Sequence, residues 1–202
     1  MSESSGENFN RENLNICVFC GANCGKNPVY KKAAEELAVS LVKRGIGIIY
    51  GGGNIGLMGI LADTALKYGG SVTGVIPQSM VEKELAHKAV TRMRIVRTMS
   101  ERKSLMIELS NGFIALPGGI GTYDELFEVI TLKQLGFHSK PSGILNVNGY
   151  FDPFIDLIKN ATDEGFLLSD IESLFITAET ADALVSKLTD SIASRSAVLP
   201  MK

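Results

Sequence analysis

The chain has 202 residues, 45% of them apolar and 21% charged, which is material for one domain whose core needs neither metals nor disulfides. Its 20 basic and 22 acidic residues leave a net charge of -2, which excludes a long-range field for holding nucleic acid or an anionic membrane, so any anion must be gripped locally. No apolar run approaches the ~18 residues of a membrane span, and the opening MSESSGENFNREN lacks the apolar stretch of a signal peptide, so a cytoplasmic protein is expected.

Residues 1–13 read as a disordered polar tail, 14–193 as a single domain and 194–202 as a C-terminal tail. Within the domain, short apolar runs alternate with amphipathic segments. The runs Ile16–Cys20, Ile46–Tyr50, Val72–Ile76, Met93–Val96, Phe113–Leu116, Ser142–Val147 and Leu174–Thr177 read as strands. Between them, Val29, Ala33, Leu37 and Leu41 recur at helical spacing, as do Ala181, Leu184, Leu188 and Ile192. Asn27-Pro28 and Asp152-Pro153 each place a capping side chain before a proline suited to a first helical turn. The pattern is that of an α/β fold: a Rossmann-like, doubly wound parallel sheet of about seven strands with helices on both faces. Ligands of such sheets bind outside the carboxyl ends of the strands.

Three of those ends are rich in glycine: Gly21-Ala-Asn-Cys-Gly25, Gly51-Gly-Gly-Asn-Ile-Gly56 and Pro117-Gly-Gly-Ile-Gly-Thr122. Each leads from a strand into a helix, where free amides and the helix dipole can hold a phosphate. A tight turn needs glycine anyway, but three such loops at one edge point to a nucleotide. Gly21-x-x-x-Gly25-Lys26-Asn27 is one residue short of a P-loop and lacks its Ser/Thr, which disfavours ATP hydrolysis. The strand after the triple-glycine loop ends Val75-Ile76-Pro77-Gln78, without the carboxylate that would hold the ribose of NAD, so a mononucleotide fits better.

Cys17, Cys20 and Cys24 spell C-x2-C-x3-C, yet along a strand Cys17 and Cys20 face opposite ways and cannot chelate one ion. Structural thiols are expected, with no metal. Polar residues concentrate in two places. Met99-Ser-Glu-Arg102-Lys103 opens a helix before the fifth strand and reads either as a solvated charged face or as a guanidinium near a phosphate or sugar. Thr122-Tyr-Asp-Glu125 reads either as a capping box or as a carboxylate beside a phosphate-bound ribose, suited to N-glycoside cleavage through an oxocarbenium-like centre.

In order and spacing, Gly51-Gly-Gly-Asn-Ile-Gly-Leu-Met-Gly59, Met99-Ser-Glu-Arg-Lys103, Pro117-Gly-Gly-Ile-Gly-Thr-Tyr-Asp-Glu125 and Leu145-Asn-Val-Asn-Gly-Tyr150 resemble the LONELY GUY (LOG) family of cytokinin-activating enzymes. The resemblance runs from about Asn15 to Leu188. It implies a cytokinin riboside 5'-monophosphate phosphoribohydrolase that uses no metal or organic cofactor. It further implies Arg102 and Glu125 as the catalytic pair. Gly118, Gly119, Gly121 and Thr122 would form the phosphate loop, with Gly52, Gly53, Met58, Met99 and Lys103 completing the substrate site. A homodimer with active sites near the interface belongs to the same expectation, with a small-molecule nucleotide as the partner. The first loop departs from the family's Gly-Ser-Ser-Pro-Gly, and Lys88 stands where proline is common. Two alternatives stay open: a LOG-like protein that binds a nucleotide or molybdenum cofactor without cleaving it, and a general AMP nucleosidase.

Overall fold

The computed structural model describes residues 14–83, 85–168 and 171–196. In chain order the elements are β1 (Asn15–Phe19), α1 (Val29–Lys43), β2 (Gly47–Tyr50), α2 (Gly56–Lys67), β3 (Val72–Pro77), α3 (Gln78–Val81), β4 (Arg92–Val96) and α4 (Met99–Glu108). There follow β5 (Gly112–Ala115), α5 (Ile120–Gln134), β6 (Ser142–Leu145), α6 (Asp152–Asp163), α7 (Ile171–Leu174), β7 (Ile176–Ala178) and α8 (Ala181–Ser196). The expected seven strands form one parallel sheet in the order β4-β3-β2-β1-β5-β6-β7. The chain therefore winds outward from β1 to β4, then returns to start again at β5, which leaves a switch point between β1 and β5.

Both faces are covered. Ile16 and Val18 of β1 pack with the apolar stripes of α1, α2 and α8 on one face, while Cys17 and Phe19 pack with α4, α5 and α6 on the other. Cys20 belongs to the first layer and Cys17 to the second, so the two thiols lie on opposite sides of the sheet, as strand alternation requires. All three cysteines are free. Among the described residues, no helix is long and apolar enough to cross a membrane, and no group of three His, Cys, Asp or Glu could hold a metal.

The structure differs from the sequence reading at particular ends. The sixth strand stops at Leu145, where the chain turns through a short 3-10 helix, and the seventh begins at Ile176 because Leu174 completes α7. Asn27 caps as expected, its Oδ1 accepting the Val29 amide at 3.0 Å. Asp152 does not. The start of α6 has no side-chain cap; Asn146 Oδ1 accepts the amide of the preceding Phe151 at 2.8 Å, while Asn146 Nδ2 donates to Asp152 at 2.7 Å. With no breaker before Pro200, α8 runs through Ser196, beyond the boundary drawn at 193. The expected tail at 1–13 and the remainder of that at 194–202 lie outside the described residues.

Candidate active site

The crossover from β4 to β5 governs the site. β4 is the outermost strand on its side, so the segment that leads to β5 must travel back across the face of the sheet, and α4 packs on β3 on the way. Its start is well fixed: Thr98 Oγ1 accepts the Glu101 amide at 3.1 Å and the Glu101 carboxylate accepts the Arg97 amide at 2.9 Å. Arg102, one residue further along, consequently points under the carboxyl edge. Its Nε donates to the Val75 carbonyl within β3 at 3.1 Å, and its Nη1 donates to Glu125 Oε1 at 2.8 Å.

This pair is buried, with Arg102 8% and Glu125 9% exposed. Burial pushes the Glu125 carboxyl above its ordinary range, against the opposing pull of the Arg102 guanidinium. The capping-box reading of Thr122-x-x-Glu125 fails, because the α5 cap is Gly119 without a side-chain bond and Glu125 is engaged by Arg102. Room for the guanidinium comes from the second loop. A Cβ on Gly51 would lie 2.1 Å from Arg102 Nη2. The sequence shows Gly51 as the first residue of the triple-glycine loop after β2, but not the side chain for which it makes room.

The loop after β5 is arranged differently. Gly118 is needed for close approach, since a Cβ there would lie 2.1 Å from Thr122 Oγ1, but a Cβ on Gly119 or Gly121 would meet nothing within 4 Å. Thr122 donates its amide to the Gly119 carbonyl at 3.0 Å, while the amides of Gly119, Ile120 and Gly121 make no hydrogen bond among the described residues. Open amides at the start of a 15-residue helix are groups suited to hold an anion. Tyr150 steadies this loop by donating its hydroxyl to the Gly118 carbonyl, and its ring meets Tyr30 edge-on at 5.6 Å. Tyr150 was visible in sequence only as the end of Leu145–Tyr150; its partner could not be read there.

These parts surround one cavity of about 510 Å³. Arg102, Glu125, Met58, Met99, Gly118, Gly119, Gly121 and Thr122 line it, together with Leu57, Met80, Tyr30, Cys20 and Cys24. Gly52, Gly53 and Lys103 do not. Gly52 adopts φ 76° and packs against β3, and Gly53 lies under Met58. Lys103 reaches away to Asp124 and Glu128, each at 3.0 Å, and so ties α4 to α5. The cavity thus has open amides of α5 at one end, a buried carboxylate and guanidinium at its floor, and a mainly apolar wall with three thioethers. That arrangement fits a phosphorylated, partly apolar molecule with a reactive centre between its two ends.

Among solved structures, the chain is similar to the molybdenum cofactor carrier protein of Chlamydomonas reinhardtii (TM-score 0.68, 21% identity, 89% of this chain and 98% of that one). It is also similar to the molybdenum cofactor binding protein of Rippkaea orientalis (TM-score 0.68, 19% identity, 89% and 97% covered). At these identities the likeness shows the fold alone. A family model described as possible lysine decarboxylase matches residues 58–188. The cytokinin riboside 5'-monophosphate phosphoribohydrolase LOG of Oryza sativa subsp. japonica is 48% identical over 177 residues, 88% of this chain and 73% of that protein. A cytokinin riboside 5'-monophosphate phosphoribohydrolase of Arabidopsis thaliana is 45% identical over 177 residues, 88% of this chain and 83% of its own length. With the family model matched from Met58 to Leu188 and such relatives aligned along most of its length, the chain belongs to the LOG family.

Proposed function

We propose that this chain hydrolyses the N-glycosidic bond of cytokinin riboside 5'-monophosphates, releasing a free N6-modified adenine and ribose 5-phosphate. The observation that carries the reading is the buried Arg102–Glu125 pair beside the open amides of α5 in one cavity. With the 5'-phosphate on Gly119, Ile120 and Gly121, the ribose extends along the first turn of α5, where Glu125 stands one turn in. As the bond from the anomeric carbon to the base lengthens, positive charge develops on the sugar, and the Glu125 carboxylate stabilises it. A water then adds to that carbon, its proton passes to Glu125, and the departing base carries away a proton in exchange. The raised proton affinity of Glu125 suits a group that must accept and return a proton. Arg102 holds that carboxylate in place. Burial of Glu125 against Arg102 in place of a cap favours cleavage over mere binding.

The apolar wall formed by Met58, Met80 and Met99 is available to the modified adenine. A homodimer is part of the same reading, supported by Ile120 at 84% and Met99 at 49% exposure on the rim of the cavity, where a second copy would cover them. Free thiols at Cys17, Cys20 and Cys24 accord with a cytoplasmic setting. Incubating the purified protein with isopentenyladenosine monophosphate in the presence of a chelator tests the activity. Equal amounts of free base and ribose 5-phosphate are expected, whereas activity that is lost to the chelator and restored by magnesium or zinc overturns the cofactor-free reading. Faster cleavage of AMP would instead identify a general nucleosidase.

A further inference from the structure

At the end of α5 opposite the cavity, roughly 22 Å away at the usual rise per residue, lies a second hollow, of about 540 Å³. It is lined by Lys133, Gly136, His138, Ser139 and Arg195, none of them acidic. Lys133 comes from the last turn of α5, His138 and Ser139 from the connection to β6, and Arg195 from the last turn of α8. Since α5 and α8 cover opposite faces of the sheet, the hollow is built where the two layers meet below the amino ends of β5 and β6.

The donors gathered there are incompletely used. Arg195 Nη1 is shielded from solvent and has no hydrogen-bond partner among the described residues, and His138 Nε2, equally shielded, has no close acceptor there beyond the pull of the Val129 backbone on the imidazole. His138 Nδ1 accepts the Lys140 amide at 3.2 Å, which leaves the ring proton on Nε2 as a donor, and the ring is held at 5.4 Å from Phe113. Lys133 donates to the Ser173 and Leu174 carbonyls but meets no carboxylate among the described residues. The like charges oppose one another: burial and Arg195 draw Lys133 down, and burial with Lys140, Lys133 and Arg195 draws His138 down against the opposing pull of the Val129 backbone. A buried donor without an acceptor is costly, and repulsion among cations adds to the cost unless an anion joins them.

We infer that this hollow is a second anion site, which takes a phosphate group between Arg195, His138 and Lys133. Tetrahedral oxygens can meet a guanidinium fork, an imidazole N–H and an ammonium from three directions, and the Ser139 hydroxyl stands at the mouth. The inference is independent of the reaction assigned to the other end of α5.

The chain contains only two histidines, so the imidazole signals in proton NMR serve as local reporters. His87, whose Nε2 is bound to Asp63 at 3.0 Å, is the internal control. Titration with inorganic phosphate at constant ionic strength is expected to move the His138 signals saturably and raise the pH at which they titrate, leaving His87 in place. Arg195→Ala should weaken this binding by about tenfold or more while nucleotide cleavage without added phosphate stays unchanged. Ser139→Asp, at an exposed position that the fold tolerates, should do the same by placing a carboxylate in the hollow. Ribose 5-phosphate binding more tightly than inorganic phosphate would assign the site to a sugar phosphate; equal affinity would assign it to the phosphate group alone. Unmoved His138 signals, an equal response to chloride, or unchanged affinity in Ser139→Asp would overturn the inference.

Discussion

Two glycine loops that look alike in sequence have opposite relations to space. In Gly51–Gly53 the absent side chains are filled by neighbours: Arg102 occupies the room beside Gly51, and Met58 that beside Gly53. At Gly119 and Gly121 the room is empty. The first loop is glycine-rich because protein must pass through it; the second leaves its amides open to a ligand. A run of glycines therefore reports close approach, and only the structure tells whether the approaching group is a side chain or a substrate.

The largest test of this contrast bears on the open loop. If its amides grip the 5'-phosphate, the riboside lacks several charge-assisted bonds at roughly 1.5–3 kcal/mol each, and kcat/KM should favour the monophosphate by about 10³-fold or more. Comparable values for isopentenyladenosine and its monophosphate would make the second loop as structural as the first. Next come Glu125→Gln and Arg102→Ala, each expected to lower kcat by on the order of 10² or more. The Gln variant should retain its Tm closely. Because burial raises the Glu125 pKa, ionisation of that group in the folded state opposes folding as pH rises, and a neutral isostere escapes this penalty. The same upward shift places the acid limb of the kcat/KM profile above the ~4.3 of an ordinary glutamate, and Glu125→Gln should abolish that limb.

The loops themselves can then be set against each other. Gly51→Ala should reduce kcat by about tenfold or more by displacing Arg102, with little change in KM, whereas Gly121→Ala should raise KM by a similar factor through a methyl group facing the phosphate. Thermal melts of Gly121→Ala should match the parent, since its Cβ meets no protein atom. Equal effects of the two substitutions on KM would erase the distinction. The smallest effect is expected from Cys17→Ala. It should cost about 1 kcal/mol of stability for the lost sulfur contacts and leave cleavage measurable, as denaturant melts and a product assay would show.

Much of the fold was legible because periodicity is local. The alternation along Ile16–Cys20 and the spacing of Val29, Ala33, Leu37 and Leu41 both correspond to observed elements within a residue or two. Where the reading missed, a local contact intervened: Asp152 accepts from Asn146 and caps nothing, and Leu174 joined α7 in place of the strand. The open glycines after β5 could be found from their place between strand and helix. The position of Arg102 could not, because it depends on β4 lying at the edge of the sheet and on α4 crossing back over β3, neither of which chain order specifies. Nor could spacing alone choose between a cap and a site for Glu125. The partner 23 residues upstream, which no spacing reveals, is what removes the cap reading.

Arg102 also joins the two wings of the sheet. Its Nε is held by Val75 on the wing that winds outward to β4, and its Nη1 by Glu125 on the wing that begins at β5. Neither wing alone can present the guanidinium and carboxylate together, so a nascent chain that has folded only as far as β4 has no means of attacking a nucleotide. If the proposed reaction runs on this pair, competence waits until α5 docks beside α4, and the cell's nucleotide pool is spared a hydrolase that works while half-made.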